Sequence, residues 1–429
     1  MTLNTDKLLN ISVLAITISS VNQWSDLPLG STSFWWIING IILYSFFRSR
    51  KLFYDKSNEI YLKTLRWYLY WNVICIIRGC FVADNYWEWK SLIGTSLVML
   101  LPVSINISTN AERVQRITSF WLKYALPFFV IIFPFLQGEA IGRYLIPISF
   151  LLLFLPCFSR RWKIALLLIT VFVIVSYLGA RSNVIKFGVP IAISILYYFR
   201  RFFSVKALNI IRLVLLILPF VTLILAALGI FNIFKIGDYL SNDYSTNVIV
   251  NGQRTEESLM TDTRTPLYID VINSALKYDY VWFGRTPARG NETTLFDFFL
   301  PDDNTYPTTE RFSNEVSILN IFTWTGLIGV VLYFFVFYQC SYLAIKRSKN
   351  SFMPFIGLYI AFRWCYAWVE DFNRIDLSNL YLWIIIGMCY SRSFREMSDQ
   401  DITLWANGIL KQSARKLYIH RKKIASGNA

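Results

Sequence analysis

Apolar and polar positions fall into long blocks along this chain. Apolar runs bounded by short polar or basic linkers lie near Leu8–Gln23, Ser31–Phe47, Ile60–Ala83, Ser91–Ser108, Ile117–Leu136, Tyr144–Phe158, Ile164–Leu178, Val184–Phe199, Leu213–Phe231, Glu315–Ile345, Phe352–Val369 and Leu377–Tyr390. Runs of roughly 16 to 20 apolar residues are long enough to cross a hydrocarbon layer as helices, so the pattern predicts an all-α integral membrane protein of about 12 transmembrane helices. One polar stretch, residues 232–314, is too long to be a linker and predicts a large, partly helical loop. The chain then divides into helices 1–9 (residues 1–231), the loop (232–314), helices 10–12 (315–391) and a basic tail (392–429). No internal repeat is visible.

Within the loop the periodicity changes at Asp262–Arg285. Thr265 suits a cap, Pro266 suits the first helical position, and Leu267, Val271, Ile272, Ala275 and Leu276 fall on one stripe, with Gly284 marking the exit turn. Arg264 precedes the cap, so its guanidinium and the first-turn N–H groups would point at one spot, a favourable place for phosphate. The alternative is that Arg264 pairs with Asp262 on a wet surface.

Composition sharpens this picture. Of 429 residues 55% are hydrophobic and 17% aromatic, which no ordinary soluble domain needs. The net charge of +15 does not point to nucleic acid, because the basic residues cluster in linkers. Arg48-Ser-Arg50-Lys51, Arg160-Arg161, Arg200-Arg201, Lys346-Arg347 and Arg421-Lys422-Lys423 all fall on one side if the spans alternate, and that side is the cytoplasm. Both termini are then cytoplasmic and the large loop lies outside. Lys7 with the run Leu8–Ser20 has the look of a signal peptide, but no small-residue cleavage site follows, and a retained first span is expected. Tyr86-Trp87-Glu88-Trp89 reads as an interfacial aromatic belt. In the tail, Ile402, Trp405 and Ile409 share a helical face that suits a helix lying on an anionic leaflet.

Candidate chemistry is limited by what the chain contains. The one histidine, His420, sits in the basic tail, so an imidazole base is excluded from the loop side. The six cysteines show no metal or disulfide spacing and read as small buried hydrophobes, and neither metal nor cofactor is expected. The sequon Asn291-Glu-Thr293 matters only in a secretory pathway.

Some cations break the topology rule. Arg78, Arg143, Arg181, Lys186, Arg363 and Arg374 map to the outer half of a helix or its adjoining linker, where charge is costly unless it is paired or functional. Glu370 and Asp84 are nearby partners for Arg363 and Arg78. Arg181 has no acid in its short linker and needs an anion. Together with Arg264, Arg285 and Arg289 this collar makes a site for a polyanionic headgroup, for which a lipid diphosphate is the economical ligand.

The order of Gly179-Ala-Arg181-Ser, a large outer loop with Arg264 leading a helix to Gly284-Arg285, and a span holding Gly326-Leu-Ile-Gly329 resembles the bacterial O-antigen polymerase (Wzy-like) and O-antigen ligase superfamily of membrane glycosyltransferases, over about Leu166–Phe337 in detail. The resemblance implies an architecture like that of GT-C-type membrane glycosyltransferases. It also implies that Arg181, Arg264 and Arg285 engage the diphosphate of undecaprenyl-linked oligosaccharides, donor and acceptor alike. Ligases of the group carry a histidine before the next span, whereas this chain reads Arg311-Phe-Ser-Asn314-Glu315, which favours a polymerase acting at the periplasmic face of the inner membrane. Glu315 is the nominated general base, with a dipole-stabilised helix-start carboxylate as the alternative role. Asp262, Asp270 and Glu292 are weaker nominees. A ligase, or a flippase or transporter, is the alternative function, and a chain-length regulator is an expected partner beside the lipid bilayer.

Overall fold

The computed structural model describes residues 5–26, 29–53, 62–108, 110–177, 180–235, 245–250, 253–258, 262–293 and 310–425. It is built almost wholly of helices. The first half contributes α1 (Thr5–Ser19), α2 (Thr32–Phe53), α3 (Lys63–Cys80), α4 (Tyr86–Leu100), α5 (Ile105–Ser108), α6 (Ala111–Ile132), α7 (Ala140–Tyr144), α8 (Ile146–Leu152), α9 (Arg160–Ser176), α10 (Arg181–Tyr198) and α11 (Val205–Ala227). The second half adds α12 (Thr265–Lys277), α13 (Ser317–Lys346), α14 (Phe352–Tyr366), α15 (Leu377–Tyr390), α16 (Arg392–Glu396), α17 (Asp399–Leu410) and α18 (Gln412–Ala425). The large loop also holds strand, which the sequence pattern did not predict: a hairpin of β1 (Ser245–Val250) and β2 (Gln253–Ser258), and a short antiparallel pair of β3 (Asn291–Glu292) and β4 (Glu310–Arg311).

Among the described residues, four helical stretches are long and apolar enough to cross a membrane: Tyr86–Ser108, Ala111–Phe135, Val205–Ala227 and Ser317–Lys346. The distribution of apolar side chains agrees with a lipid environment. On α11, Ile210, Val214, Ile217, Val221 and Ile224 recur at helical spacing and are all exposed, an arrangement that is costly in water and natural against acyl chains. At the other extreme, every residue of α15 is buried, as expected for a helix that is apolar all round and surrounded by others, here α13, α14, α5 and α8.

The apolar run at 144–158 departs from the predicted pattern. Instead of one helix it forms the seven-residue α8 and a short 3-10 turn, entered from the five-residue α7 that ends at Tyr144. Pro147 and Pro156 explain the interruptions, since each removes a backbone donor. The segment is nevertheless almost entirely buried.

The two ends of the bundle are distinguishable by their bonds. At one end Ser19 Oγ donates to Ile375 O (3.0 Å), Gln137 N to Trp24 O (3.0 Å) and Ser317 N to Glu370 O (3.2 Å), so residues 20–26, 133–140, 316–317 and 367–377 meet there. At the other end α17 closes the bundle. Trp405 Nε1 donates to Ala111 O (2.7 Å), Asn407 Nδ2 to Cys157 O (2.8 Å) and Ser351 N to Asp399 Oδ1 (2.7 Å). The broken 137–158 segment thus starts at the first face and finishes at the second.

This corrects the expectation for the tail. Ile402, Trp405 and Ile409 do share one face, but that face is packed into the bundle against α6 and residues 155–157 and is fully buried. Trp405 stands edge-on to Phe154 and Phe394. Trp405→Ala is therefore expected to cost about 3–5 kcal/mol, the loss for a buried tryptophan, where a tail merely lying on lipid would lose almost nothing. Thermal unfolding of the detergent-purified variant checks this, and an unchanged midpoint would contradict the packing.

Candidate functional site

The large loop is attached to the first face through α12 and residues 280–293. The start of α12 differs from the predicted cap. Arg264 occupies the N-cap position, Thr265 is already helical, and the capping acceptor is Asp262, whose Oδ1 accepts from Arg264 N (3.0 Å) and Thr265 N (2.9 Å). A carboxylate already takes the N–H groups of Arg264 and Thr265 at this helix start, so these two are not open to a phosphate. Leu267, Val271 and Ala275 are buried as predicted, joined by Tyr268 and Ser274, whereas Ile272 and Leu276 face outward. The helix stops at Lys277, with Asp279 in the left-handed region, well before Gly284.

Gly284 has another task. Gly284 and Gly326 both have positive φ (70° and 68°), and a Cβ on either would collide with the main chain of the other segment. At Gly326 α13 is broken, and the loop satisfies backbone groups on both sides of the break. Leu327 N donates to Val281 O (2.8 Å) and Arg285 N to Thr323 O (2.7 Å). Arg78 locks the join from α3, donating to Phe283 O (2.7 Å) and Gly284 O (3.3 Å) rather than pairing with Asp84.

Beyond this join, Arg285 and Arg289 converge on one buried carboxylate. Arg285 Nη1 lies 2.9 Å and Arg289 Nη2 2.7 Å from Glu310 Oε1, and Arg289 Nη1 reaches Glu88 Oε1 at 3.2 Å. Glu310 also accepts from Gly290 N, and Glu88 from Asp84 N. The hydrogen bonds to Glu310 hold the Arg289 guanidinium above its usual value, with Glu88 adding to the attraction. These two predicted diphosphate ligands are thus tied into a cage that fastens β4 and the start of α4 to the loop. Tyr86 and Trp89 are exposed as belt residues are, while Glu88 between them is turned inward. Asn291 of the sequon is fully buried and its Oδ1 accepts from Asn314 Nδ2 (2.9 Å), which leaves no room for a glycan.

A second pair of arginines meets a very different carboxylate. Arg264 Nη1 lies 2.7 Å from Glu315 Oε2, and Arg311 Nη2 lies 3.5 Å from Glu315 Oε1. Asp262 is not the partner of Arg264. The Glu315 side chain is 53% exposed, against 11% for Glu310, while Arg264 and Arg311 are 23% and 20% exposed. Two residues nominated separately, Arg264 and Glu315, therefore touch. Arg311, seen in the sequence only as the place where a ligase has its histidine, completes the group. Glu315 stands just before α13, whose N-cap is Val316. Its place is set by a polar network: Asn320 Oδ1 accepts from Asn314 N (2.6 Å), Asn320 Nδ2 donates to Asn314 O (2.8 Å) and to Asp371 Oδ1 (3.2 Å), and Arg374 Nε lies 3.3 Å from Asp371 Oδ2. Burial pushes the Asp371 carboxyl up, and Arg374 opposes this.

The remaining collar cations are distributed around the linker 367–376. Lys186 Nζ lies 3.3 Å from Glu370 Oε1, taking the partner expected for Arg363. Arg363 instead donates to Tyr359 Oη (3.3 Å) and lies over the ring of Phe372. Arg143 pairs with Glu139 (2.9 Å), lies 3.9 Å from Asp376 and stacks over Trp24. Arg181 opens α10 and is exposed; Gly179, which precedes it, lies outside the described residues. The same linker holds Arg264, whose Nε donates to Val369 O (3.4 Å). A groove of about 670 Å³ lined by Leu43, Leu65, Val73 and Val103 lies between α2, α3 and residues 100–106, apart from these charges.

The arrangement brings two part-buried arginines, Arg264 and Arg311, onto the half-exposed carboxylate of Glu315 on the loop-bearing face, backed by a caged structural cluster and a buried polar network. No protein-family model matches this chain, and no curated protein matches it.

Proposed function

We propose that this chain is a membrane glycosyltransferase that polymerises undecaprenyl-diphosphate-linked oligosaccharide repeats, and that Arg264 with Arg311 receives the diphosphate of the donor. The observation that carries this reading is the convergence of Arg264 and Arg311 on a half-exposed position beside α13. A pair of planar guanidinium forks suits a diphosphate better than it suits any neutral or monoanionic group. Arg181 and Arg264 both lie on elements joined to the linker 367–376, α10 through the pairing of its Lys186 with Glu370 and Arg264 through Val369 O, so Arg181 is the next residue expected to reach the ligand. Arg285 and Arg289 act by shaping the loop.

In the reaction the hydroxyl oxygen of the acceptor's distal sugar attacks the anomeric carbon of the donor chain. The new C–O bond forms as the bond from that carbon to the diphosphate oxygen breaks, the electron pair leaves with the diphosphate, and the hydroxyl proton passes to Glu315. Arg264 and Arg311 neutralise the charge that develops on the leaving group, a role that needs no metal. The chain crosses the bacterial inner membrane about twelve times, with both termini in the cytoplasm and residues 232–314 in the periplasm.

Three outcomes follow. Reporter fusions at Lys206 and Lys349 are expected to report cytoplasm and a fusion at Asn251 periplasm; a cytoplasmic signal at Asn251 would remove the polymerase reading, because polymerisation takes place outside. Deleting the gene is expected to leave single repeats on the cell surface in place of a long ladder, resolved on a gel of surface glycans, while loss of even the single repeat would point to ligase or flippase. In purified protein turning over lipid-linked repeats, Arg264→Ala is expected to lose about 30- to 1,000-fold in rate. Arg264→Lys should lose most of that too, since an ammonium cannot reproduce the fork. Near-normal activity of both variants would take Arg264 out of the site.

A further inference from the structure

We infer that Glu315 is a stand-in anion, displaced from Arg264 by the donor's diphosphate, and that this displacement is what frees it to accept a proton. The inference rests on the reading above and adds a regulation to it: the base is unmasked by the substrate it will act on.

Glu310 and Glu315 belong to one short segment and each sits on two guanidinium groups, but they are held differently. Glu310 is 11% exposed and receives five contacts from four donor atoms: one from Arg285 Nη1, three from Arg289 Nε and Nη2, and one from Gly290 N. Exchanging it would leave several buried donors unpaired. Glu315 is 53% exposed, has one short contact to Arg264 and one long contact to Arg311, and among the described residues accepts nothing from the backbone. An ion pair this wet is weak, so a diphosphate, with more charge and more acceptor oxygens, outcompetes a single carboxylate for the same two forks. Once Arg264 turns to the phosphate, Glu315 is left beside the leaving group, where an attacking hydroxyl must lose its proton. Before that exchange Glu315 Oε2 accepts from Arg264 Nη1 (2.7 Å) and Oε1 lies 3.5 Å from Arg311 Nη2, and this cationic pairing lowers the carboxylate's pull on a hydroxyl proton.

The test separates binding from turnover in detergent-purified full-length protein. Titration calorimetry with inorganic pyrophosphate and with farnesyl diphosphate, a short lipid diphosphate, measures binding. Turnover of lipid-linked repeats measures kcat and KM. For Glu315→Gln, which removes the competing charge, both probes are expected to bind about two- to fivefold more tightly than to the unaltered protein, the amount an exposed pair is worth. KM should fall with them while kcat falls by about 100-fold or more, the contribution of a general base. Farnesyl diphosphate should bind more tightly than pyrophosphate, identifying a lipid as the source of the anion. Equal or weaker binding to Glu315→Gln, with binding still abolished by Arg264→Ala, would overturn the exchange and leave the diphosphate site standing. Unaltered binding of both probes to Arg264→Ala would overturn the site itself, and the exchange with it. Glu315→Ala serves as a second variant that must give the same sign.

Discussion

Two backbones meet at Gly284 and Gly326 so closely that neither residue tolerates a side chain. In a low-dielectric surrounding a helix break is expensive, because the freed N–H and C=O groups have no water to turn to. Here the break in α13 is made good by the loop, which supplies Val281 O and takes up Thr323 O. The join fixes where residues 281–285 lie, hence where Arg285 points, hence where Glu310 is caged, and β4 leads directly from that cage to Glu315 and α13. The candidate site inherits its geometry from a contact that carries no charge at all.

The charges on the loop-bearing face sort by wetness. The carboxylates of Glu310, Glu88 and Glu370, which hold Arg285, Arg289 and Lys186, are only 11%, 6% and 17% exposed, and removing a partner strands a group that water barely reaches and is destabilising. Arg264 and Arg311 with Glu315 form the wetter group, where pairing is worth little and partners exchange freely. A protein needs both kinds: the dry pairs build a loop rigid enough to aim the wet one.

Much of the helical plan was legible in the sequence, because long apolar runs have few other uses. The run at 144–158 was misread for a local reason: hydropathy counts apolar residues and ignores that two prolines forbid one continuous helix. The tail was misread for a tertiary reason, since an amphipathic stripe does not say whether lipid or protein covers it. The site was legible by residue type and not by pairing. Arg264 and Glu315 stood out one at a time, as a charge at a helix start and a carboxylate without a histidine, but they are 51 positions apart and no local pattern joins them. Nearest-acid guesses failed throughout: Arg78 took carbonyls instead of Asp84, Arg264 took Glu315 instead of Asp262, and Glu370 went to Lys186. Helix packing decided these three, whereas Arg143–Glu139, Arg311–Glu315 and Arg374–Asp371 do pair within one turn along the chain.

The hydrogen bond from Trp405 to Ala111 spans 294 positions, and the groups that α17 holds together come from early, middle and late parts of the chain. During synthesis the first helices enter the bilayer long before α17 leaves the ribosome, so the bundle waits, open at its basic end, for its final piece. The order of manufacture therefore runs against the order of closure. A chain ended before α17 would leave α6, the 155–157 turn and the start of α14 with apolar and polar surfaces uncovered together, a combination that neither lipid nor water satisfies and that quality-control proteases of the membrane are suited to find.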